Sequence, residues 1–548
     1  MNSRLTQKVV FYLLVSVLLL LVYPLDLYFP TGNQCIYFFW GIKNSGFGFL
    51  EHDFLATQAD PFPLFSWLVQ YSYSFFGSNS FLYLYWLLNL VYVIAIFEIA
   101  EEVCKQLSLK LNKLLFTSVF LFANSTFIWG FFFSRFFNLD LRWAWDSGFA
   151  EQGILRGYFQ PSVFGVFILL SVALFVKRRI LLAFVSAAAA ACFHANYLLV
   201  SAVFISVYLL LLLKEKNYKT AIIGSIVSLA IVLPYLLYVF KNFGTTSPET
   251  IEYVRNNIRG HIHFDYKVWM NFEAFLQMAL IGCALWLIRK TVLFFPLSIG
   301  LTVLVVFTLV TFASGSIFLL NLTPWRISVV LVPVAVAIVV AHLSSITYTK
   351  LSYLIISTIL SATLSALYFR AFGNSSYDFI FQWRIQTLIV FVVMFGVVLL
   401  LEKYLPHQNV KSIPSLSALL LVVCLGLSGM LFHKSDTASK QELVAFVRKN
   451  SAEKQYYLIS TEFTDFRLAT GVPVFVDSTI YHSNTLPEWD KRVKIANRFF
   501  AARDTVLLDS LVRNCGITHI IAKEDFDFNE GNEVYRNKRY TIFEVSEQ

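Results

Sequence analysis

The stretch VVFYLLVSVLLLLV, residues 9–22, is an apolar run in which a tyrosine and a serine are the only interruptions. It continues into Tyr23 and Pro24 without a small-residue cleavage site, so we interpret it as a retained span. A transmembrane helix needs roughly 20 mostly apolar residues to cross a hydrocarbon core of about 30 Å. Further apolar runs lie at residues 222–239, 301–312, 388–401 and 416–431. Each approaches this length when the apolar residues that flank it are included. These runs predict a polytopic membrane protein.

Composition supports the same conclusion for the whole chain. Of the 548 residues, 57% are hydrophobic, 17% are aromatic and only 14% are charged, which does not describe a water-facing surface. The apolar runs do not alternate with polar residues, which argues against a lipid-facing barrel. The net charge of +9 comes largely from Lys and Arg in short connections between runs. It therefore indicates membrane topology and not nucleic-acid binding.

Basic clusters set the predicted orientation of the spans. They occur at residues 105–113, 177–179, 214–219 and 289–290, and positively charged connections favour the cytoplasmic side. Placing all of them inside predicts about 13 spans in a domain of residues 1–432, with a cytoplasmic N-terminus. The long external loops are then residues 24–64, 132–160 and 241–270. The expected location is the bacterial cytoplasmic (inner) membrane.

Residues 433–548 have the composition of a water-soluble domain. Hydrophobic periodicity and capping signals predict helices at 439–449, 488–502 and 505–515, the last ended by Gly516. Strands are expected at 456–460, 472–476, 517–522 and 540–545. The predicted fold class is an all-α polytopic membrane domain followed by a small extracytoplasmic α/β domain, which would be periplasmic.

The first external loop contains the segment EHDFLATQADPFP, residues 51–63. Ionisable groups beside lipid are costly, so Glu51, His52, Asp53 and Asp60 call for an explanation. A carboxylate at a wet cavity mouth could act as a general base on an acceptor hydroxyl. The alternative interpretation is a solvated loop carboxylate that caps a helix.

The second external loop mixes carboxylates, guanidiniums and indoles. This combination is typical of a site for a sugar and a phosphate, because arginine binds phosphate in a bidentate manner. The other interpretation is an interfacial aromatic belt with snorkelling arginines. The candidate side chains of this loop are Asp146, Glu151, Arg156 and Gln160.

Arg326 follows Pro324 and Trp325 at the predicted outer start of a span. An arginine there can neutralise a lipid-linked phosphate at the membrane boundary. It could equally be a helix-end anchor.

No cofactor site is evident in the sequence. The six cysteines show no ligand-like spacing, and no Gly-rich phosphate loop is present. His261, His263 and Asp265 are the one group that could hold a divalent metal, although alternation in a polar loop needs none. His194, in a turn between two runs, is interpreted as a hydrogen-bonded packing residue.

Taken together, the acidic first loop, the second loop and the terminal extramembrane domain resemble the GT-C superfamily of membrane glycosyltransferases. The narrower resemblance is to a bacterial branch of that group, and it rests on residues 51–63 and 152–165 and on three dipeptides of the tail. These dipeptides are FR at 466–467, TG at 470–471 and VD at 476–477.

The resemblance implies a sugar donor carried on polyprenyl phosphate and an active site at the outer leaflet. It assigns Asp53 as the catalytic base and Arg326 as the residue that meets the donor phosphate. It also implies substrate contacts at Glu151, Arg156 and Gln160. Further candidates for substrate contacts, chosen for their residue types in the two loops, are Glu51, His52, Asp60 and Asp146. The first loop has no Asp-x-Asp triplet, so the sequence does not support a metal requirement, and the tail has no motif that indicates a protein acceptor.

We therefore expect an inverting hexosyl or pentosyl transfer to a hydroxyl of a glycan, lipid or protein acceptor. The expected partners are the polyprenyl-phosphate sugar and membrane lipid, and no nucleic acid. Two alternatives are a lipid-linked glycan polymerase or ligase, and a polytopic transporter or flippase. A transporter would be expected to show repeated halves with interrupted helices, and no internal repeat is evident.

Overall fold

The computed structural model describes residues 3–22, 29–125, 141–243, 265–346, 438–479, 486–502, 505–523 and 531–546, with isolated residues at 129, 139 and between 389 and 396. Its helices are α1 (Ser3–Val22), α2 (Gln34–Tyr37), α3 (Phe39–Asn44), α4 (Pro63–Phe76), α5 (Ser80–Gln106), α6 (Lys113–Ala123), α7 (Val166–Val176), α8 (Ile180–Phe193), α9 (Tyr197–Lys214), α10 (Tyr218–Phe243), α11 (Tyr266–Trp269), α12 (Phe272–Ile288), α13 (Phe294–Ser314), α14 (Ile317–Leu322), α15 (Ser328–Ile346), α16 (Ala438–Asn450), α17 (Phe466–Thr470), α18 (Leu486–Ala502) and α19 (Thr505–Cys515). Its strands are β1 (Ser147–Gly148), β2 (Gln152–Gly153), β3 (Tyr457–Ile459), β4 (His519–Lys523), β5 (Asn532–Arg536) and β6 (Tyr540–Glu544).

The helices of the first 346 residues make up a membrane domain. Within the described ranges, 6 helices are long and apolar enough to cross a bilayer: Leu5–Val22, Ser80–Gln106, Tyr197–Lys214, Tyr218–Phe243, Phe294–Ser314 and Phe318–Ser345. Four shorter apolar helices accompany them, namely Lys113–Ala123, Pro161–Val176, Ile180–Phe193 and Phe272–Ile288. The predicted spans at 388–401 and 416–431 lie outside the described residues. The helical membrane class is confirmed, and the total of about 13 spans stays a prediction.

The core of the membrane domain is built around α15. This helix is apolar on every face, which is typical of a helix with no water-facing side. It packs against α5, α6 and α12, and Val330, Val334 and Ile338 are fully buried. The 3-10 turn Pro324–Ile327 leads directly into it. The position of Arg326 is therefore set by the most buried helix of the domain.

One end of the bundle gathers the basic residues that the sequence places in the cytoplasm. There, Glu98 and Glu101 of α5 each form ion pairs with two lysines. Lys8 lies 2.7 Å from Glu98, and Lys113 lies 2.6 Å from Glu101. Lys177 also pairs with Glu98. Three of the predicted cytoplasmic segments therefore share one end of the domain.

A short hairpin in the second loop docks on the start of α15. Strands β1 and β2 pair in antiparallel register, and Phe149 N–H donates to Ser328 Oγ at 2.8 Å. Gly148 lies so close to α15 that an added Cβ would be 2.3 Å from Ser328 Oγ and 2.5 Å from the backbone nitrogen of Val329. The absence of a side chain at Gly148 is what permits this approach.

Gly148→Ala is expected to destabilise the protein by about 1–3 kcal/mol, because backbone atoms cannot yield to the new methyl group. Thermal unfolding of the detergent-solubilised protein would measure this. Gly282→Ala is the matched control, since no atom lies within 4 Å of that added Cβ. If Gly148→Ala unfolds at the wild-type temperature, the close docking of the hairpin is wrong.

The C-terminal region contains a mixed four-stranded sheet in the order β3-β4-β6-β5. Strands β3 and β4 are parallel, while β4–β6 and β5–β6 are antiparallel. One face packs on α18 and α19 in a cluster that includes Phe499, Leu511 and Ile520. The α/β class predicted for this region is confirmed, with helices and most strands within a few residues of their expected positions.

The strand predicted at 472–476 is not formed as a regular strand. One of its edges faces β3: Tyr457 N–H donates to Pro473 O at 3.1 Å, and Phe475 N–H donates to Tyr457 O at 2.8 Å. On the other edge, Val474 N–H donates to the Asp53 carboxylate at 2.9 Å. A side chain of the first loop takes the place of a neighbouring strand, which local sequence does not reveal.

Candidate functional site

Asp53 lies in a buried contact between the first loop and the C-terminal domain. Its Oδ1 accepts from Leu55 N–H at 2.9 Å, which begins the 3-10 turn Phe54–Thr57. Its Oδ2 accepts from Val474 N–H at 2.9 Å and from Arg467 Nε at 3.1 Å. The Asp53 side chain is 0% exposed. Its predicted role as base stays a prediction, and that role requires the carboxylate to separate from Arg467.

The backbones of the two regions also meet at this contact. Phe49 N–H donates to Gly471 O at 2.7 Å. A Cβ on Gly48, where φ is +67°, would lie 2.1 Å from the same carbonyl oxygen. The first loop and the C-terminal domain are therefore on the same side of the membrane domain.

Glu51 and His52 are exposed beside this contact. His52 Nε2 is 3.9 Å from the Glu51 carboxylate and 3.8 Å from that of Glu453 in the C-terminal domain. At these distances in open solvent such pairs contribute little. Their predicted substrate contacts stay predictions.

Asp60 ends the same loop and is only partly buried. Its Oδ1 accepts from Phe62 N–H at 2.8 Å, and its backbone carbonyl accepts from the Tyr238 hydroxyl at 2.7 Å. Burial raises the pKa of the Asp60 carboxyl, and the hydrogen bond from Phe62 N–H opposes this shift. Phe62 then packs on the His194 ring, with centroids 5.3 Å apart.

Arg326 is the centre of a second cluster, formed by three separate parts of the chain. Its Nε donates to Gln152 Oε1 at 2.8 Å. Its Nη1 lies 3.3 Å from His194 Nε2. The guanidinium of Arg156 is near enough to interact electrostatically with that of Arg326 and stacks 4.4 Å from the Trp143 ring centroid. Both arginines are partly exposed. The predicted pair Arg156 and Arg326 is thus brought together.

The hydrogen-bond partners of His194 show that an acceptor is missing from this cluster. Its Nδ1 accepts from Asn196 N–H at 3.2 Å. Burial, and then the charge of Arg326, hold the pKa of His194 well below its usual range. The imidazole is therefore neutral, so only one of its two ring nitrogens can accept a hydrogen bond. Asn196 N–H and the Arg326 guanidinium therefore compete for one lone pair of this ring, and one of the two donors lacks an acceptor there.

The side chain of Gln152 adds a further hydrogen-bond donor to the Arg326 cluster. Its side-chain oxygen is used by Arg326, and its Nε2 is buried without an acceptor in the described part of the chain. A buried amide left without a partner is unfavourable, so a ligand that accepts hydrogen bonds would relieve it. The Arg326 guanidinium and the Gln152 amide N–H together favour an anionic oxygen ligand beside His194.

The turn of the hairpin holds Glu151 in a strained conformation. Ala150 and Glu151 have φ of +58° and +54°, a region that non-glycine residues rarely adopt. This strained turn matters for the site because it directly precedes Gln152, which contacts Arg326. Glu151 itself lines a small cleft together with Asn271 and Glu273.

Gln160 and Asp146 are buried in the loop framework. Gln160 Oε1 accepts from Asn33 Nδ2 at 3.2 Å, and its Nε2 donates to Ser162 Oγ at 2.7 Å. Asp146 Oδ1 accepts from Ser147 Oγ at 3.3 Å. These contacts tie the loops together, and the predicted substrate contacts of Glu151, Gln160 and Asp146 stay predictions.

Several residues of these clusters were not predicted as site residues, among them Gln152, His194 and Arg467. His194 was interpreted as packing, and Arg467 was noted only within a tail motif. A histidine in a turn between two apolar helices was the available signal for His194. For Arg467 the signal was a charged residue inside an otherwise apolar segment.

The described residues contain no group of three or more side chains suited to a metal ion. His261 and His263 lie outside the described ranges, and Asp265 caps α11 by accepting from Lys267 N–H at 2.9 Å.

Two solved structures are similar to this chain over nearly its whole length. One is ArnT from Cupriavidus metallidurans in the apo state, with a TM-score of 0.55, 13% identity, and coverage of 99% of this chain and 99% of that chain. The other is the same protein bound to undecaprenyl phosphate, with a TM-score of 0.52, 12% identity, and coverage of 99% and 98%. No protein-family model matches the chain, and no curated protein matches it by sequence. The similarity shows that this chain shares the fold of those two structures over nearly its whole length.

Proposed function

We propose that this protein transfers a glycosyl group from a polyprenyl-phosphate donor to a hydroxyl acceptor at the outer face of the cytoplasmic membrane. The observation that carries the proposal is the cluster at Arg326, where the guanidinium meets the His194 ring and the buried Gln152 Nε2 has no acceptor in the described part of the chain. A phosphate oxygen could accept from more than one of them at once. The ArnT structure with the same fold binds undecaprenyl phosphate, which supports this class of ligand.

In the proposed step, the acceptor oxygen attacks the anomeric carbon, and the bond from that carbon to the phosphate oxygen breaks. The electron pair of this bond stays on the lipid phosphate, and the configuration at the anomeric carbon inverts. Arg326 and Arg156 stabilise the charge that develops on the phosphate, while His194 and Gln152 donate hydrogen bonds to it. The hydroxyl proton passes to a carboxylate of the first loop.

Asp53 and Asp60 are the two candidates for this base. Asp53 is closed to solvent and its carboxylate is engaged by three donors. Asp60 is partly exposed, and Phe62, two residues later, lies against His194. The geometry therefore favours Asp60, although the family resemblance assigns Asp53.

The proposal is tested first by ligand binding to the full chain in nanodiscs. Undecaprenyl phosphate is expected to bind, and undecaprenol, which lacks the phosphate, is the matched control. His194→Phe should weaken phosphate-lipid binding about 10–100-fold, the effect of losing one hydrogen bond to a charged group. His194→Gln should keep part of the affinity because its amide still donates. Titration followed by tryptophan fluorescence would measure the affinity of the wild type for both lipids and the affinity of each variant for undecaprenyl phosphate.

Transfer itself is tested in membranes that contain the protein, supplied with labelled polyprenyl-phosphate sugars. Label should leave the donor and enter a new product, with undecaprenyl phosphate released. Equal affinity for undecaprenol and undecaprenyl phosphate would contradict the phosphate site. Binding without any label transfer from a broad set of sugars would contradict the enzymatic proposal.

A further inference from the structure

Arg467 is a buried cation of the C-terminal domain that reaches into the first loop. It is 1% exposed, and its Nε donates to Asp53 Oδ2 at 3.1 Å. Its Nη1 lies 3.3 Å from Asp477 Oδ2. Two different nitrogens of one guanidinium therefore face two different carboxylates. A lysine, with a single ammonium, could not reproduce this fork.

The group is unusual because two carboxylates share one guanidinium in a closed space. The Asp53 side chain is 0% exposed and that of Asp477 is 1% exposed. Asp477 is held in turn by Thr479 N–H, which donates to its Oδ1 at 2.9 Å. Breaking a buried pair by removing its cation leaves an uncompensated charge, so Arg467 cannot be lost without a response from Asp53.

Asp53 is the start of a short path to the Arg326 cluster. The turn that it caps is followed by Gln58, whose carbonyl accepts from Trp40 Nε1 at 3.3 Å. The loop then reaches Phe62, which packs on His194 and on Tyr37, with ring centroids 5.3 Å and 5.0 Å away. One end of residues 53–62 is therefore fixed by the C-terminal domain, and the other end lies against the Arg326 cluster.

We infer that Arg467 is a positioning residue of the transfer site, through which the C-terminal domain holds residues 53–62 of the first loop against the Arg326 cluster. The inference rests on the proposed function and adds a role for the C-terminal domain. Arg467 touches no reacting atom. It acts through Asp53, and the loop carries Asp60 at the site end.

The first readout is independent of catalysis. Hydrogen exchange of the full chain in nanodiscs should show faster exchange of the amides of residues 54–62 in Arg467→Gln than in the wild type. Arg513→Gln is the matched control, because Arg513 is an exposed arginine of the same domain. Faster exchange of the loop in Arg467→Gln alone supports the anchor, and unchanged loop exchange overturns it.

The second readout separates positioning from general structural damage. Undecaprenyl phosphate affinity should stay close to that of the wild type, because Arg326, His194 and Gln152 remain in place. The transfer rate should fall about 100-fold, the effect expected when a reacting group is misplaced by about 1 Å. Arg467→Lys should recover part of the rate, since it restores charge but not the fork. Loss of affinity equal to the loss of rate, or no loss of rate, overturns the inference.

Gly48→Ala keeps the test decisive if Arg467→Gln does not fold. It disturbs the same contact through Gly471 O without leaving a buried charge, and it should give the same pattern of a mobile loop, retained affinity and a reduced rate. A mobile loop with a wild-type rate in this variant also overturns the inference. Should wild-type protein neither bind undecaprenyl phosphate nor transfer label, the proposed function fails, while the exchange comparison still decides whether Arg467 anchors the loop.

Discussion

Arg326→Ala is expected to lower the transfer rate about 100–1,000-fold, the usual effect of removing one preorganised donor to a developing negative charge. It should also reduce undecaprenyl phosphate binding below detection. Arg326 is the centre of the cluster, since it contacts Gln152 at 2.8 Å and lies 3.3 Å from His194. Its removal therefore takes away a positive charge, and it also removes the contacts that hold the side chains of Gln152 and His194 in place.

The measurement is a pair of titrations and rate assays on protein of matched thermal stability. Arg326→Lys keeps a positive charge but loses the fork, so it should retain binding in part and transfer poorly. Arg289→Ala is the control, because Arg289 is an exposed arginine in a predicted cytoplasmic connection and should behave as wild type. An Arg326→Ala protein with full phosphate-lipid affinity would show that the cluster is not the phosphate site.

The general architecture could be predicted from sequence because its signals are local. Apolar runs long enough to span lipid are visible one at a time, and the shift of composition after residue 433 marks a separate region. The same holds for α19, which has the predicted bounds, and for the αL glycine Gly516 that ends it. Each of these features depends on neighbours in the chain.

The candidate site could be predicted only in part, because its residues are joined across large separations. Arg156 and Arg326 were chosen for their charge at loop positions, and both lie in one cluster. The pairing of Asp53 with Arg467 spans 414 positions, and no local pattern indicates it. His194 became a candidate only when the structure showed that both of its ring nitrogens face hydrogen-bond donors.

Among the first-loop carboxylates, Asp60→Asn is the substitution expected to reduce the transfer rate most without disturbing the fold. Its Oδ1 accepts one hydrogen bond, from Phe62 N–H at 2.8 Å, and the asparagine amide oxygen can accept the same bond. Loss of a general base typically lowers the rate about 100–10,000-fold. Rates, thermal stability and undecaprenyl phosphate affinity would be measured on the same preparation, and only the rate should change.

Asp53→Asn cannot serve as an equally clean test. Asp53 Oδ2 accepts from both Arg467 and Val474 N–H, and Oδ1 accepts from Leu55 N–H. An asparagine must turn its NH₂ group toward one of these donors, so it breaks the anchor whether or not Asp53 is the base. Its rate loss should therefore come with faster exchange in residues 54–62, which Asp60→Asn should not show.

The pH dependence gives the deciding comparison. A general base works in its deprotonated form, so the rate should rise with pH as Asp60 ionises, and burial places this rise above the usual range of an aspartate. This rise of the rate with pH, the acidic limb of the pH profile, should be absent from the residual activity of Asp60→Asn. It should persist in Asp53→Asn. If Asp60→Asn instead transfers at the wild-type rate with the same acidic limb, Asp60 is not the base, and Asp53 must leave Arg467 during the reaction to fill that role.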